Sequence, residues 1–133
     1  MDMNSLTQKS QEALTSAQSL AVQAGQVETD EEHLLLALLQ QEEGLVPRLL
    51  QTAGADVEAI RADVEAEIAR KPSVSGSSPQ TGQVYVSRSL TSTLERAERE
   101  AKRLKDSYIS VEHLVLALAD DSSNRAASRV LRG

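Results

Sequence analysis

The chain has 133 residues, a formal net charge of −6, and no cysteine, tryptophan or phenylalanine. That length suits one domain with a core of its own, and the missing thiols exclude disulfides, thiolate catalysis and cysteine-ligated zinc or iron–sulfur sites. An acidic chain with aromatics only at Tyr85 and Tyr108 has neither the basic surface nor the stacking platforms of a nucleic-acid binder, so no nucleic-acid partner is expected.

In chain order, the opening MDMNSLTQKSQEAL has no basic start and no apolar run, so it does not read as a secretory signal. Leu6, Ala13, Leu14, Ala17, Ala21 and Ala24 share one helical stripe, and Gly25 ends that helix. Asp30 is placed to cap the next helix, with Glu31 and Glu32 in its first turn favoured by the macrodipole. The octet HLLLALLQ that follows is apolar on nearly every face, which predicts a central helix surrounded by others. Its run from Leu34 to Leu39 is far too short to cross a bilayer, so a cytoplasmic chain without a membrane partner is expected.

A third helix is expected from about Leu45, with Pro47 tolerated in its first turn, Gly54 as a left-handed cap, and Leu45, Leu49, Leu50 and Ala53 as its apolar positions. Asp56 caps a fourth, amphipathic helix with Val57, Ile60, Val64 and Ile68 on one stripe. Residues 71–87, KPSVSGSSPQTGQVYVS, gather proline, glycine and serine without a helical period and read as a link, with Val84 and Val86 as anchors of its far end.

The pattern then starts again. An offset of 80 residues lays Leu14 on Leu94, Ala17 on Ala97, Ala21 on Ala101, His33 on His113, and Leu34, Leu36, Ala37 and Leu38 on Leu114, Leu116, Ala117 and Leu118. Leu90, Leu94, Ala97, Ala101 and Leu104 form the stripe of the new first helix, and Ser110 to Asp120 the new central one. NRAASRVLRG begins a third, with Val130 and Leu131 matching Leu49 and Leu50. The expected fold is therefore all-α: two pseudo-twofold tandem repeats of about four helices each, repeat one over 1–70, the link over 71–87, and an incomplete repeat two over 88–133.

Little in this pattern reads as chemistry. The basic run Arg96, Arg99, Lys102, Arg103 and Lys105 alternates with Glu95, Glu98, Glu100 and Asp106 at helical spacing, the signature of a solvated, ion-paired face. No GxxxxGK[ST] phosphate loop and no G-x-S-x-G elbow occurs, so no catalytic residue is assigned. His33 and His113, each preceded by a glutamate, could form a metal site across a twofold axis, but a histidine in a first helical turn is more often a backbone-bonded packing residue, and no metal ligand is assigned.

The stretches LTQKSQEAL, EEHLLLALL, GLVPRLLQTAG and ISVEHLVLALA resemble the repeat domain at the N-terminus of Clp ATPases over essentially the whole chain. The opening and the link resemble most the ClpB-type branch, the bacterial disaggregases, in its actinobacterial versions. That resemblance implies a non-enzymatic domain engaging unfolded or aggregated polypeptides, joined to a homohexameric ring whose ATPase domains use ATP and magnesium, with the DnaK chaperone system as a candidate partner. It also implies no cofactor in this piece. Polypeptide-binding residues carried over by the resemblance are Thr7, Asp106 and Glu112 on a rim and Leu94 on an apolar floor. Two alternatives stay open: an adaptor- or degron-binding domain of a ClpC- or ClpA-type unfoldase, and a standalone Clp-repeat protein that binds peptides.

Overall fold

The computed structural model describes residues 3–41, 44–71 and 85–119. Six α-helices carry the fold among them: α1 (Gln8–Gln23), α2 (Glu31–Gln40), α3 (Leu45–Thr52), α4 (Val57–Arg70), α5 (Arg88–Arg103) and α6 (Val111–Leu118). A single 3₁₀ turn precedes α1, and two strands of two residues, β1 (Glu28–Thr29) and β2 (Tyr85–Val86), lie side by side in parallel.

The internal repeat is visible in the backbone. Helices α1 and α5 have the same length and begin 80 residues apart, as do α2 and α6 at their starts. Thr7 caps α1 by accepting from the Ser10 amide, and Ser87 caps α5 by accepting from the Leu90 amide. Both helices end in the same motif, with Gly25 and Lys105 in the left-handed region and the next amide, of Gln26 or Asp106, reaching back to Ala21 or Ala101. Gly54 closes α3 in that way too, as its sequence context predicts.

Pairing across the repeat is reciprocal. Thr29, before α2, pairs with Val86, before α5, while Leu6, before α1, pairs with Ile109, before α6. The offset of 80 residues converts one pair into the other, which is the contact pattern of halves related by a twofold axis.

The core sits on α2. Every residue from Glu31 to Leu39 is buried, so the helix is surrounded as its all-round apolar sequence predicts. Ala13, Ala17 and Ala21 bring α1 close against it, and Val64 and Ile68 bring in α4. Fully burying a leucine stabilises by about 1.5–3 kcal/mol, and Leu34, Leu35 and Leu38 have no exposed surface.

Three expectations change. In α3 the buried anchor is Val46 and Leu50 packs partly buried against the core as expected, while Leu45 and Leu49 are 39% and 43% exposed and Ala53 also faces solvent, because a short helix turns only one narrow side to the core. Leu104 is 47% exposed, since it lies in the terminating turn of α5 rather than on its packed stripe. The second octet is less enclosed than the first: Leu116 is 55% exposed where its counterpart Leu36 is 5% exposed. Residues 72–84 of the link, Val84 among them, Asp120, and the third helix expected in NRAASRVLRG lie outside the described residues.

Candidate functional site

Each octet begins with a histidine whose two ring nitrogens are both engaged. The Asp30 amide donates to His33 Nδ1 at 2.9 Å, which leaves the proton on Nε2, and Nε2 meets Gln26 Oε1 at 2.6 Å. Gln26 then donates through Nε2 to the Ile68 carbonyl at 2.9 Å, so the chain of bonds runs from the head of α2 to the end of α4. In the second copy the Ser110 amide donates to His113 Nδ1 at 2.8 Å, and Nε2 meets Asp106 Oδ2 at 2.9 Å. Gln26 and Asp106 occupy equivalent positions. Among the described residues no group of three or more His, Cys, Asp or Glu side chains is arranged to hold a metal ion. Nothing in the arrangement leaves an imidazole nitrogen free to act as a base.

The head of α2 also carries the main charge cluster. Lys71 Nζ lies 2.9 Å from Asp30 Oδ2 and 3.1 Å from Glu32 Oε2. Burial alone would raise the Asp30 carboxyl, but hydrogen bonds from Lys71, Ser87 and the Glu31 amide outweigh it and hold the group below its usual range. Glu32 goes the other way, pushed up by burial and by the Asp30 charge. Burial would lower Lys71, yet the bond to Asp30 and the Glu32 charge raise it. His33 is held down to about 4 by burial and by the Lys71 charge, so it is neutral near pH 7. Glu31, also buried, accepts a hydrogen bond from Thr93 Oγ1 and so joins α2 to α5.

Three open depressions lie on the surface of the described residues, one of them a small one of about 180 Å³ beside Gln26, Asp30 and Lys71. The first, about 270 Å³, runs between α1 and α5 beside the strand pair. Leu14, Val86, Leu90 and Leu94 form its floor, and Thr15, Gln18, Thr91 and Glu95 its polar edge. Leu14 and Leu94 are counterparts under the internal repeat, as are Thr15 and Glu95, so the groove is built from both halves. The second, about 420 Å³, is lined by the turn between α5 and α6 and the outer face of α6: Leu104, Asp106, Tyr108, Glu112, His113 and Leu116 among its walls.

The four residues singled out from sequence do not share one place. Leu94 is half-buried in the first groove, while Asp106 and Glu112 line the second depression together. Thr7 lines neither, because its side chain caps α1. Its amide donates to the Ile109 carbonyl at 3.1 Å, which places it against the segment that borders the second depression. Sequence reasoning missed Leu14, Val86, Leu90 and Thr91. The offset that overlays Leu14 on Leu94 could have found the first of these, and helical spacing from Leu94 could have found Leu90 and Thr91; Val86 is brought there only by the strand pairing.

With this geometry in place, the comparisons are direct. The chain matches the Clp repeat (R) N-terminal domain over residues 5–133 and belongs to that family. Among its relatives are two chaperone proteins ClpB. That of Bacillus cereus is 47% identical over 124 residues, 93% of this chain and 14% of the relative. That of Nitratidesulfovibrio vulgaris is 43% identical over 132 residues, 99% of this chain and 15% of the relative. The chain thus spans only a small part of the length of these proteins. In fold it is similar to the crystal structure of the Hsp104 N-terminal domain from Candida albicans, with a TM-score of 0.80 at 21% identity over 96% of this chain and 79% of that one. No helix among the described residues is long and apolar enough to cross a membrane.

Proposed function

We propose that the chain is the non-catalytic, substrate-recruiting domain of a ClpB-like disaggregase, and that it takes apolar segments of unfolded or aggregated polypeptide into the groove between α1 and α5. The observation that carries this reading is the groove itself: an open apolar floor of Leu14, Val86 and Leu94 over the buried Leu90, edged by hydroxyl, amide and carboxylate groups. An exposed apolar surface rimmed by polar groups suits a polypeptide ligand, and a shallow one discriminates poorly between sequences. Resemblance to the ClpB chaperones supports the same assignment.

In this reading repeat one covers 1–70, the link 71–87 and repeat two begins at 88. Leu94 lies on the binding floor. Asp106 and Glu112 form a second contact area with Thr7 at its border, reached by a longer polypeptide. Weak binding per domain becomes useful when several copies are tethered on one homohexameric ring, where effective concentration multiplies small contacts. ATP and magnesium act in the ATPase domains of the full-length protein, in the cytoplasm and alongside the DnaK system, and this domain holds no cofactor.

The test is titration of the isolated chain with casein, an unfolded model protein, followed by NMR. Leu94→Ser is expected to weaken binding about tenfold, a change of roughly 1.4 kcal/mol. Thr7→Ala and Glu112→Ala are expected to weaken it about two- to threefold. Binding indifferent to all three changes overturns the groove assignment and makes adaptor docking on another face the better reading.

A further inference from the structure

Among the described residues, the groove is lined from one side of the twofold axis. Thr29, Val86, Leu90 and Thr91 line it, whereas their counterparts Ile109, Leu6, Ser10 and Gln11 do not. On that closed side Ser10 Oγ donates to the Ile109 carbonyl at 3.0 Å and Gln11 Nε2 to the Leu6 carbonyl at 3.1 Å, so the two polar side chains stitch the first turn of α1 onto the adjoining segments.

On the open side a different bond set does the holding, and it converges on one carboxylate. Asp30 Oδ1 accepts from the Ser87 hydroxyl at 2.7 Å and from the Glu31 amide at 2.8 Å, and Oδ2 takes the Lys71 ammonium at 2.9 Å. Ser87 in turn caps α5, and its amide donates to the Thr29 carbonyl at 2.9 Å. The heads of α2 and α5 and the end of α4 therefore meet at Asp30. Among the described residues the counterparts of Ser87 and Asp30 are bonded elsewhere: Thr7 donates to Ser10 Oγ, and Ser110 Oγ turns to His113 Nδ1.

Resting on the groove reading above, we infer that Asp30 is a positioning residue for the groove: through Ser87 it fixes the first turns of α5, and with them Leu90, Thr91 and Leu94, at the separation from α1 that a polypeptide segment needs. A carboxylate suits this junction because one oxygen can accept two neutral donors while the other faces the cation, an arrangement stronger than neutral hydrogen bonds at the same places. The asymmetry between the copies follows from it. Where the head of the helix is tied outward to Asp30, a floor is left open beside it; where Ser10 and Gln11 tie inward, that floor is closed.

The test compares casein affinity, read by NMR well below the melting range, across four variants of this chain. Asp30→Ala and Ser87→Ala are expected to weaken binding about fivefold or more and to move the amide signals of Val86, Leu90, Thr91 and Leu94. Asp30→Asn keeps an oxygen for Ser87 and Glu31 but sets an amide NH2 or a neutral oxygen against the Lys71 ammonium, and is expected to weaken binding less than Asp30→Ala does. Asp56→Ala removes the cap of α4, lowers the melting temperature, and is expected to leave affinity unchanged. Asp30→Ala and Ser87→Ala binding within twofold of the parent, or Asp56→Ala losing as much as Asp30→Ala, overturns the inference. If the parent itself fails to bind casein, the groove reading falls. The clasp is then judged by the amide signals alone: movement at Leu90, Thr91 and Leu94 in Asp30→Ala but not in Asp56→Ala upholds it, and no movement ends it.

Discussion

The two Glu-His heads are written almost alike and are put to different use. In the first, His33 has no exposed surface and passes a chain of hydrogen bonds through Gln26 to the end of α4. In the second, His113 meets the exposed Asp106, and Leu104, Tyr108 and Leu116 around it face solvent among the described residues. One motif thus serves as the centre of a closed core and as the wall of an open depression. The lesson is that a helix-start motif fixes the ring's tautomer, through the amide that reaches back to Nδ1, while the residue seven positions earlier decides what the other nitrogen joins.

The largest effect that could break this comparison comes from the octets themselves. Leu34→Ala and Leu114→Ala both remove leucines without exposed surface, and each is expected to lower unfolding free energy by about 2–5 kcal/mol in urea titrations. A Leu114 cost under about 1 kcal/mol would show that the second octet is not a core element at all. Next in size are the heads. His33→Ala leaves the Asp30 amide and Gln26 without their partner in a buried place and is expected to cost about 2–3 kcal/mol. His113→Ala, whose carboxylate partner can turn to water, should cost about half as much.

A pH series sharpens the contrast further. His33 has its pKa lowered from 6.5 to about 4, so folding favours the neutral ring; its contribution is complete above about pH 6.5 and disappears as the pH falls toward 4. Glu32, with its carboxyl raised, works in the opposite sense, since its protonation in acid favours the folded state, while Asp30 holds its share until the pH drops below the ordinary carboxylate range. A net loss of about 2 kcal/mol is expected across that window by thermal melting, and His33→Gln should flatten it.

The smallest expected effect lies at the ends of α1 and α5. Gly25 and Lys105 take the same left-handed backbone, with φ of 70° and 61°, in the same terminating turn. A lysine there carries strain that glycine avoids, so Lys105→Gly should raise stability by about 0.5 kcal/mol and Gly25→Lys lower it by about 1 kcal/mol. Equal and negligible changes at both positions would mean that the turns are less alike than their bonds indicate.

Much of this molecule was legible in the residues alone. The spacing of small apolar residues in α1 and α5, the capping residues Asp30 and Asp56, the all-round apolar octet and the offset of 80 residues specify helices, their boundaries and their duplication. These are local signals, set by helical periodicity and by unsatisfied amides that need a nearby oxygen. Tertiary structure alone decided the rest. Thr29 and Val86 are 57 residues apart and meet only because the halves pair reciprocally, and that pairing places Val86 in the groove and Ser87 on Asp30. It also separates Leu94 from Asp106 and Glu112, and leaves Leu45, Leu49 and Leu104 in solvent despite their apolar character. Burial depends on what covers a face, and a groove on where two helices fail to touch; neither is a property of any single stretch of the chain.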